Sequence, residues 1–218
     1  MPSQTKENYL KAIYTIRSKQ EKVNLSDVSR HLNVSAATAN NMMQKLKQEK
    51  FITQEKYQPI ELTAKGEKEA AAIIRKHRIT EMFLSEIMGI GWENVHQIAE
   101  QIEHVDSALF FDRMDEMLDF PDHDPHGSPI PDKQGKITEN KSFLLSKAKI
   151  GNKLRVVGVD DSSKALLEYL NDLNIQLGTE LEVIKVNAFD FSIKVRLDNQ
   201  TELFFSPKMG NSLKVVEI

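Results

Sequence analysis

Within residues 77–104 of this chain, six side chains able to bind a metal recur at helical spacing on two stripes: His77 and Glu81, then His96, Glu100, Glu103 and His104. At roughly 100° per residue, positions 96, 100, 103 and 104 project within an arc of about 100° on one helical face. His77 and Glu81 stand one turn apart on the preceding helical stretch. Two antiparallel helices can then present imidazoles and carboxylates across a shared gap, which is how first-row metal sites are built. A solvated helix face explains any single His-Glu pair. Six ligands on two facing stripes point to a metal.

Composition limits the rest. With 218 residues, 40% hydrophobic and 28% charged, the chain is a soluble protein large enough for two small cores or three modest ones. No apolar run approaches a membrane span, and Met1-Pro2-Ser3-Gln4 lacks the basic and apolar regions of a signal peptide, so a cytoplasmic protein without a membrane partner is expected. Cysteine is absent, so disulfides and thiolate ligands are excluded and a metal must be held by nitrogen and oxygen.

The net charge of −3 conceals an asymmetry. Residues 1–65 carry 11 Lys/Arg against 6 Asp/Glu, residues 66–150 carry 10 against 16, and residues 151–218 carry 8 against 10. A basic head on an acidic, ligand-rich middle suggests a DNA-binding module coupled to a cation-binding body.

The first 65 residues sharpen that suggestion. Tyr9, Leu10, Ile13, Tyr14 and Ile16 recur at helical spacing. Leu25 to Leu32 predicts a short helix with Ser26 as its N-cap, and Asn33-Val34 a tight turn. Ser35 then caps a helix over 36–50, whose Ala39, Met42, Met43 and Leu46 face inward. Short helix, turn and longer helix make a helix-turn-helix. Residues 51–56 and 60–63 alternate like two strands joined through Tyr57-Gln58-Pro59, as in a β-wing. Ser35, Ala37, Thr38, Asn40 and Asn41 suit the major groove, since Ala methyls can touch thymine methyls and Asn amides can pair with adenine. Lys45, Lys47, Lys50 and Lys56 suit phosphates.

From Thr63 a long amphipathic helix runs to near Gly89. The next helix, from Glu93 to about Asp119, carries the ligand stripe and a second stripe of Val95, Ile98, Ala99, Ile102, Val105, Leu109, Phe110 and Met114. That apolar stripe suits subunit pairing or ordinary core packing; two DNA-binding heads favour a homodimer.

His77-Arg78-Ile79-Thr80-Glu81, Val95-His96, Glu100-Gln101-Ile102-Glu103-His104-Val105 and Pro125-His126-Gly127-Ser128-Pro129-Ile130-Pro131 follow one another behind this winged helix. In that order they resemble the diphtheria toxin repressor family of metal-dependent transcriptional regulators, over residues 5–131. The resemblance implies two adjacent metal positions: His77, Glu81 and His96 match an ancillary site, and Glu100, Glu103 and His104 an activating one. It also implies a ligand from the first helix, at a position that is Met in iron-sensing members and Asp in manganese-sensing ones. Here that residue is Asn8, with Glu7 beside it, and Lys11 stands where manganese-sensing members carry a second acidic ligand.

Residues 121–146 read as a boundary. Beyond it, residues 153–159, 180–186, 191–197 and 212–218 alternate as strands, with a short helix over 165–170. This part is similar to the SH3-like domain of longer family members. In those relatives the segment after the first strand can lend oxygen ligands; Asp160, Asp161 and Ser163 occupy it here, and an exposed turn is the alternative.

The expected fold is therefore α+β: a winged helix-turn-helix over 1–65, a helical metal-binding and dimerisation domain over 66–131, a linker over 132–146 and a small SH3-like β-barrel over 147–218. Carboxylates, imidazole and an amide oxygen without sulfur favour Mn(II), allow Fe(II), and leave Co(II), Ni(II) or Zn(II) as substitutes in vitro. The expected activity is repression of metal-uptake genes by a metal-loaded dimer on a palindromic double-stranded operator. A metalloenzyme is the competing class, but no HExxH pattern, Gly-rich phosphate loop or nucleophile-base pair occurs. A winged-helix sensor of an organic ligand is the other alternative; it would bind DNA equally well after chelation.

Overall fold

The computed structural model describes residues 3–55, 58–138, 141–159, 163–198 and 200–218. They group into two units, one drawn from residues 1–80, 99–117 and 130–137, the other from residues 81–98, 118–129 and 138–218.

In the first unit, α1 (Gln4–Lys19), α2 (Leu25–His31) and α3 (Ala36–Gln48) pack around Leu10, Ile13, Val28, Met43 and Leu46, all essentially buried. Truncating one such leucine or isoleucine to alanine costs about 2–5 kcal/mol. The N-cap of α2 is Asn24 rather than Ser26: its backbone N–H donates to the Asp27 carboxylate at 3.1 Å, two residues earlier than the sequence suggested. Ser35 does cap α3, accepting from the Thr38 N–H at 3.1 Å. Asn33 turns the chain between α2 and α3 at φ 51°.

The wing is an antiparallel pair, β1 (Ile52–Thr53) and β2 (Glu61–Leu62), with Ile52 opposite Leu62. Helix α4 (Ala64–Glu86) starts against it. A Cβ on Gly66 would lie 2.0 Å from the Phe51 carbonyl oxygen, so no larger residue fits this approach. Thr63 accepts from the Gly66 N–H at 3.1 Å and closes the first turn.

The single helix expected from Glu93 to Asp119 is two: α5 (Val95–Ile102) and α6 (Ala108–Met117). Nothing between them is Gly or Pro. The break comes from competing partners: Val105 closes back on the Ile102 carbonyl at 2.9 Å, and Ser107 accepts from the Phe110 N–H at 3.3 Å to start α6. Glu103 and His104 thus lie in the turn that ends α5, although the Glu103 N–H still reaches the Ala99 carbonyl at 2.9 Å. Arg75 ties α4 to the buried Asp115 of α6 and donates to the Pro131 carbonyl at 2.7 Å.

The second unit holds an antiparallel sheet of β3 (Phe143–Leu144), β4 (Lys153–Val159), β5 (Glu180–Val186), β6 (Ile193–Leu197), β7 (Glu202–Phe205) and β8 (Leu213–Glu217). Its order is β3-β8-β4-β5-β6-β7. Two strands, β3 and β7, were not anticipated. Helix α7 (Lys164–Asp172) and the short α8 (Pro207–Gly210) close the core of Leu145, Leu154, Leu167, Leu170, Val195 and Phe205. A bulge in β4 between Val156 and Gly158 lets the proline-rich loop approach. A Cβ on Gly127, at φ 80°, would lie 2.1 Å from the Val157 carbonyl, and the Val159 N–H donates to the His126 carbonyl at 2.9 Å. Asp160 and Asp161 lie outside the described residues, and Ser163 is the N-cap position of α7, its carbonyl accepting from Leu166 and Leu167.

Candidate metal centre

In the first unit, α1 meets the end of α5. Glu7 and Lys11 project one turn apart from α1. The Glu7 carboxylate, in a residue 8% exposed, lies 2.5 Å from His104 Nδ1. Asn8, its neighbour, is exposed. Of the two candidates on α1, the one brought to the ligand cluster is therefore Glu7.

Glu103 is buried and has its two oxygens in different company. Oε2 accepts from the Lys11 ammonium at 2.7 Å and lies 2.5 Å from His77 Nδ1. Oε1 lies 3.7 Å from His104 Nε2. Burial alone would raise the Glu103 pKa, but the His77 hydrogen bond and the Lys11 charge overcome it and hold the carboxyl below its ordinary range. Two ligand atoms on one ion, each bound at about 2.0–2.2 Å, sit near this separation of Oε1 and Nε2. Glu7 on Nδ1 fixes the His104 ring with its other nitrogen turned to Glu103, the outer carboxylate arrangement typical of metal-bound histidines. Glu103 Oε1 and His104 Nε2 are thus two donors spaced as a first-row divalent ion would take them, whereas the groups of three gathered ligands among the described residues lie about Glu81. Glu100 lies exposed on the last turn of α5.

The second unit contains another cluster. Glu81 Oε1 lies 3.0 Å from His96 Nδ1. Glu81, Asp124 and His126 are all buried, and each offers a ligand atom within 4.8 Å of the others. His126 Nε2 pairs with the Trp92 carbonyl at 2.8 Å, and its ring stacks on the Trp92 indole at 6.0 Å between centroids. Asp124 Oδ1 accepts from the N–H groups of His126 and Ser128, both at 2.9 Å, so it also shapes the loop. Burial would lower the His126 pKa, yet Glu81, Asp124 and the Trp92 carbonyl together raise it. His77, the remaining sequence candidate, is buried one turn before Glu81 on α4.

On the DNA-binding side, Ser35, Ala37, Thr38, Asn40, Asn41 and Lys45 are exposed along the outer face of α3. Lys47 is exposed too, but its ammonium donates to the Gln54 carbonyl at 2.6 Å and so fastens the wing to α3. Lys56 lies outside the described residues.

Residues 1–60 match the iron dependent repressor N-terminal DNA binding domain, residues 63–132 the iron dependent repressor metal binding and dimerisation domain, and residues 143–216 the FeoA domain. The HTH-type transcriptional regulator MntR of Geobacillus thermodenitrificans is 30% identical over 120 residues, which cover 55% of this chain and 84% of that protein. A solved manganese-dependent transcriptional repressor in complex with manganese superposes with a TM-score of 0.91 at 30% identity, over 97% of this chain and 99% of that one. The chain belongs to the diphtheria toxin repressor family of metal-dependent transcriptional regulators.

The family consists of transcriptional repressors, not enzymes, and this member is a metal-responsive DNA-binding repressor. The iron-dependent repressor IdeR of Mycobacterium leprae, 32% identical over 127 residues, is covered over 55% of its length. ScaR with bound Cd2+ superposes at a TM-score of 0.83 and 29% identity over the whole of both chains. Among the described residues of this repressor, no helix is long and apolar enough to cross a membrane. Sequence reasoning missed Asp124 and His126 as ligand candidates, using the proline-rich motif only as part of the family resemblance. The available signal was a carboxylate and an imidazole two residues apart in Asp124-Pro125-His126.

Proposed function

We propose that this repressor is activated by Mn(II), with Fe(II) as the alternative ion, and that it acts as a homodimer on a palindromic operator to control metal-ion homeostasis. The observation that carries the reading is the Glu7–His104 contact, which joins the first helix of the DNA-binding head to the imidazole at the end of α5. An ion on Glu103 and His104, with Glu100 as a further ligand, orders α1 through Glu7. The ion supplies a positive charge that draws these side chains together. By linkage, it strengthens DNA binding only as far as DNA strengthens ion binding. Oxygen and nitrogen donors without sulfur support manganese over softer ions.

Glu81, Asp124 and His126, all buried and each offering a ligand atom within 4.8 Å of the others, support one form of the second ion site. The set His77, Glu81 and His96 shares Glu81 with it and is the alternative. Residues 1–65 act as the DNA-binding head, 66–131 as the metal-binding and dimerisation part, 132–146 as linker and 147–218 as SH3-like domain. The exposed Leu109, Phe110 and Met117 on α6 support subunit pairing.

Footprinting on operator DNA with Mn(II), Fe(II), Co(II), Ni(II) and Zn(II), before and after chelation, tests the reading. Protection should require metal, and Glu103→Ala or His104→Ala should abolish the response in a protein that still folds and dimerises. Equal protection after chelation would point to an organic-ligand sensor instead. Glu100→Cys should move relative activation from Mn(II) towards Fe(II), Co(II) or Zn(II); a ratio unchanged within about twofold, roughly 0.4 kcal/mol, would remove the basis for manganese.

A further inference from the structure

The ligand cluster at the end of α5 already contains a cation of the protein's own. Lys11 Nζ donates to Glu103 Oε2 at 2.7 Å and lies 3.1 Å from His77 Nδ1. The side chains are sheltered, 18% exposed for Lys11 and 1% for Glu103. We propose that Lys11 is a tethered competitor of the metal: its ammonium neutralises one oxygen of Glu103, weakens divalent-ion binding at the other, and keeps α1 latched to α5 when no ion is bound. The proposal rests on the assignment of Glu103 and His104 to the activating site.

Charge and geometry both support it. A buried carboxylate without a partner is costly, and removing a partner strands the charge. Lys11 removes that cost in the metal-free protein, so a divalent ion gains less by arriving. The ammonium and the ion share one carboxylate, one cation at each oxygen. Two cations held that close repel, and sheltering from solvent limits the screening between them.

The latch follows from position. Lys11 stands one turn after Glu7 on α1, and the two side chains take the consecutive residues Glu103 and His104. The Glu7 contact is the one an ion reinforces through His104. The Lys11 contact is independent of any ion and is the one an ion opposes. Affinity for metal is thereby traded against order in the metal-free head.

Mn(II) affinity and the thermal midpoint of the chelated protein distinguish this role from plain support. Free Mn(II), followed by its electron paramagnetic resonance signal, is titrated with wild type, Lys11→Gln, Lys11→Met and Lys11→Arg. Gln keeps hydrogen-bond donors and removes the charge, so its Kd for Mn(II) should tighten at least fivefold while the chelated midpoint falls. Met should tighten binding likewise, and Arg should stay within about twofold of wild type. Unchanged or weaker binding in whichever neutral variant folds would overturn the proposal, as would tightening in Arg equal to that in Gln. A wild type that binds no Mn(II), Fe(II) or Co(II) would instead sink the metal-responsive reading itself, whatever the variants do.

Discussion

Glu7 Oε2 lies 2.5 Å from His104 Nδ1, across 97 residues of sequence. A carboxylate on that nitrogen turns the His104 lone pair on Nε2 towards Glu103, whose Oε1 is 3.7 Å away. One contact therefore orients a candidate ligand and carries its position back to the helix that begins the DNA-binding head.

Glu7→Gln should raise the Mn(II) concentration for half-maximal operator binding by about 10- to 100-fold, the usual loss when an outer partner of a metal-bound histidine is removed. Asn8→Ala, at an exposed position, should change it by less than about twofold. The reverse ranking would restore Asn8 as the α1 ligand.

Replacing Asn40 or Asn41 by Ala should cost roughly 1–3 kcal/mol on specific DNA if its amide makes a bidentate contact with adenine. Lys45→Ala should weaken all sequences alike and flatten the salt dependence. Lys47→Ala should do this and also loosen the wing, since its ammonium holds the Gln54 carbonyl at 2.6 Å. Operator and scrambled competitors across a salt series separate the three effects.

Gly127→Ala should destabilise the second unit by about 1–3 kcal/mol from backbone strain alone, because φ is 80° and the new Cβ would lie 2.1 Å from the Val157 carbonyl. Urea unfolding of the chelated protein measures it. Gly178→Ala is the control: it shares a positive φ, 90°, but has nothing within 4 Å, so its cost should be smaller.

The metal-free protein should lose stability towards both acid and base. Glu103 titrates below its ordinary range in the folded state, so its contribution is present above that range and is lost as pH falls through the lowered value. His126 titrates above its ordinary range, so its contribution is complete below that range and is lost as pH rises through the raised value. Thermal midpoints across pH in the presence of chelator should show Glu103→Gln flattening the acid side and His126→Gln the alkaline side.

The winged helix was legible because each element carries a local signal: Ser35 caps its helix, Asn33 makes its turn, and the apolar spacing is regular. The capping of α2 was misplaced because Asn24 and Ser26 are both good N-caps, and only the Asp27 side chain, reaching back to the Asn24 N–H, decides between them. The break between α5 and α6 was hidden, since the apolar repeat passes through it without Gly or Pro. What ends α5 is partly non-local, Glu7 and Lys11 from α1 taking the side chains of Glu103 and His104. Short edge elements such as β3, two residues long, have too little sequence to show a period. Asp124 and His126 became legible as ligands only beside Glu81, 43 and 45 positions earlier in the chain.

The chain has a single tryptophan, and its indole lies stacked on the His126 imidazole. Its carbonyl pairs with His126 Nε2, and its Nε1–H donates to Asn171 on α7 at 2.8 Å. An imidazole in contact with an indole quenches its light, more strongly when protonated. An ion taken up at His126 would therefore change the emission of a fluorophore the protein already carries. If Glu81, Asp124 and His126 take up metal as proposed, they would report it without label and apart from the α1 site, and the order in which the two proposed sites fill could be followed in one cuvette.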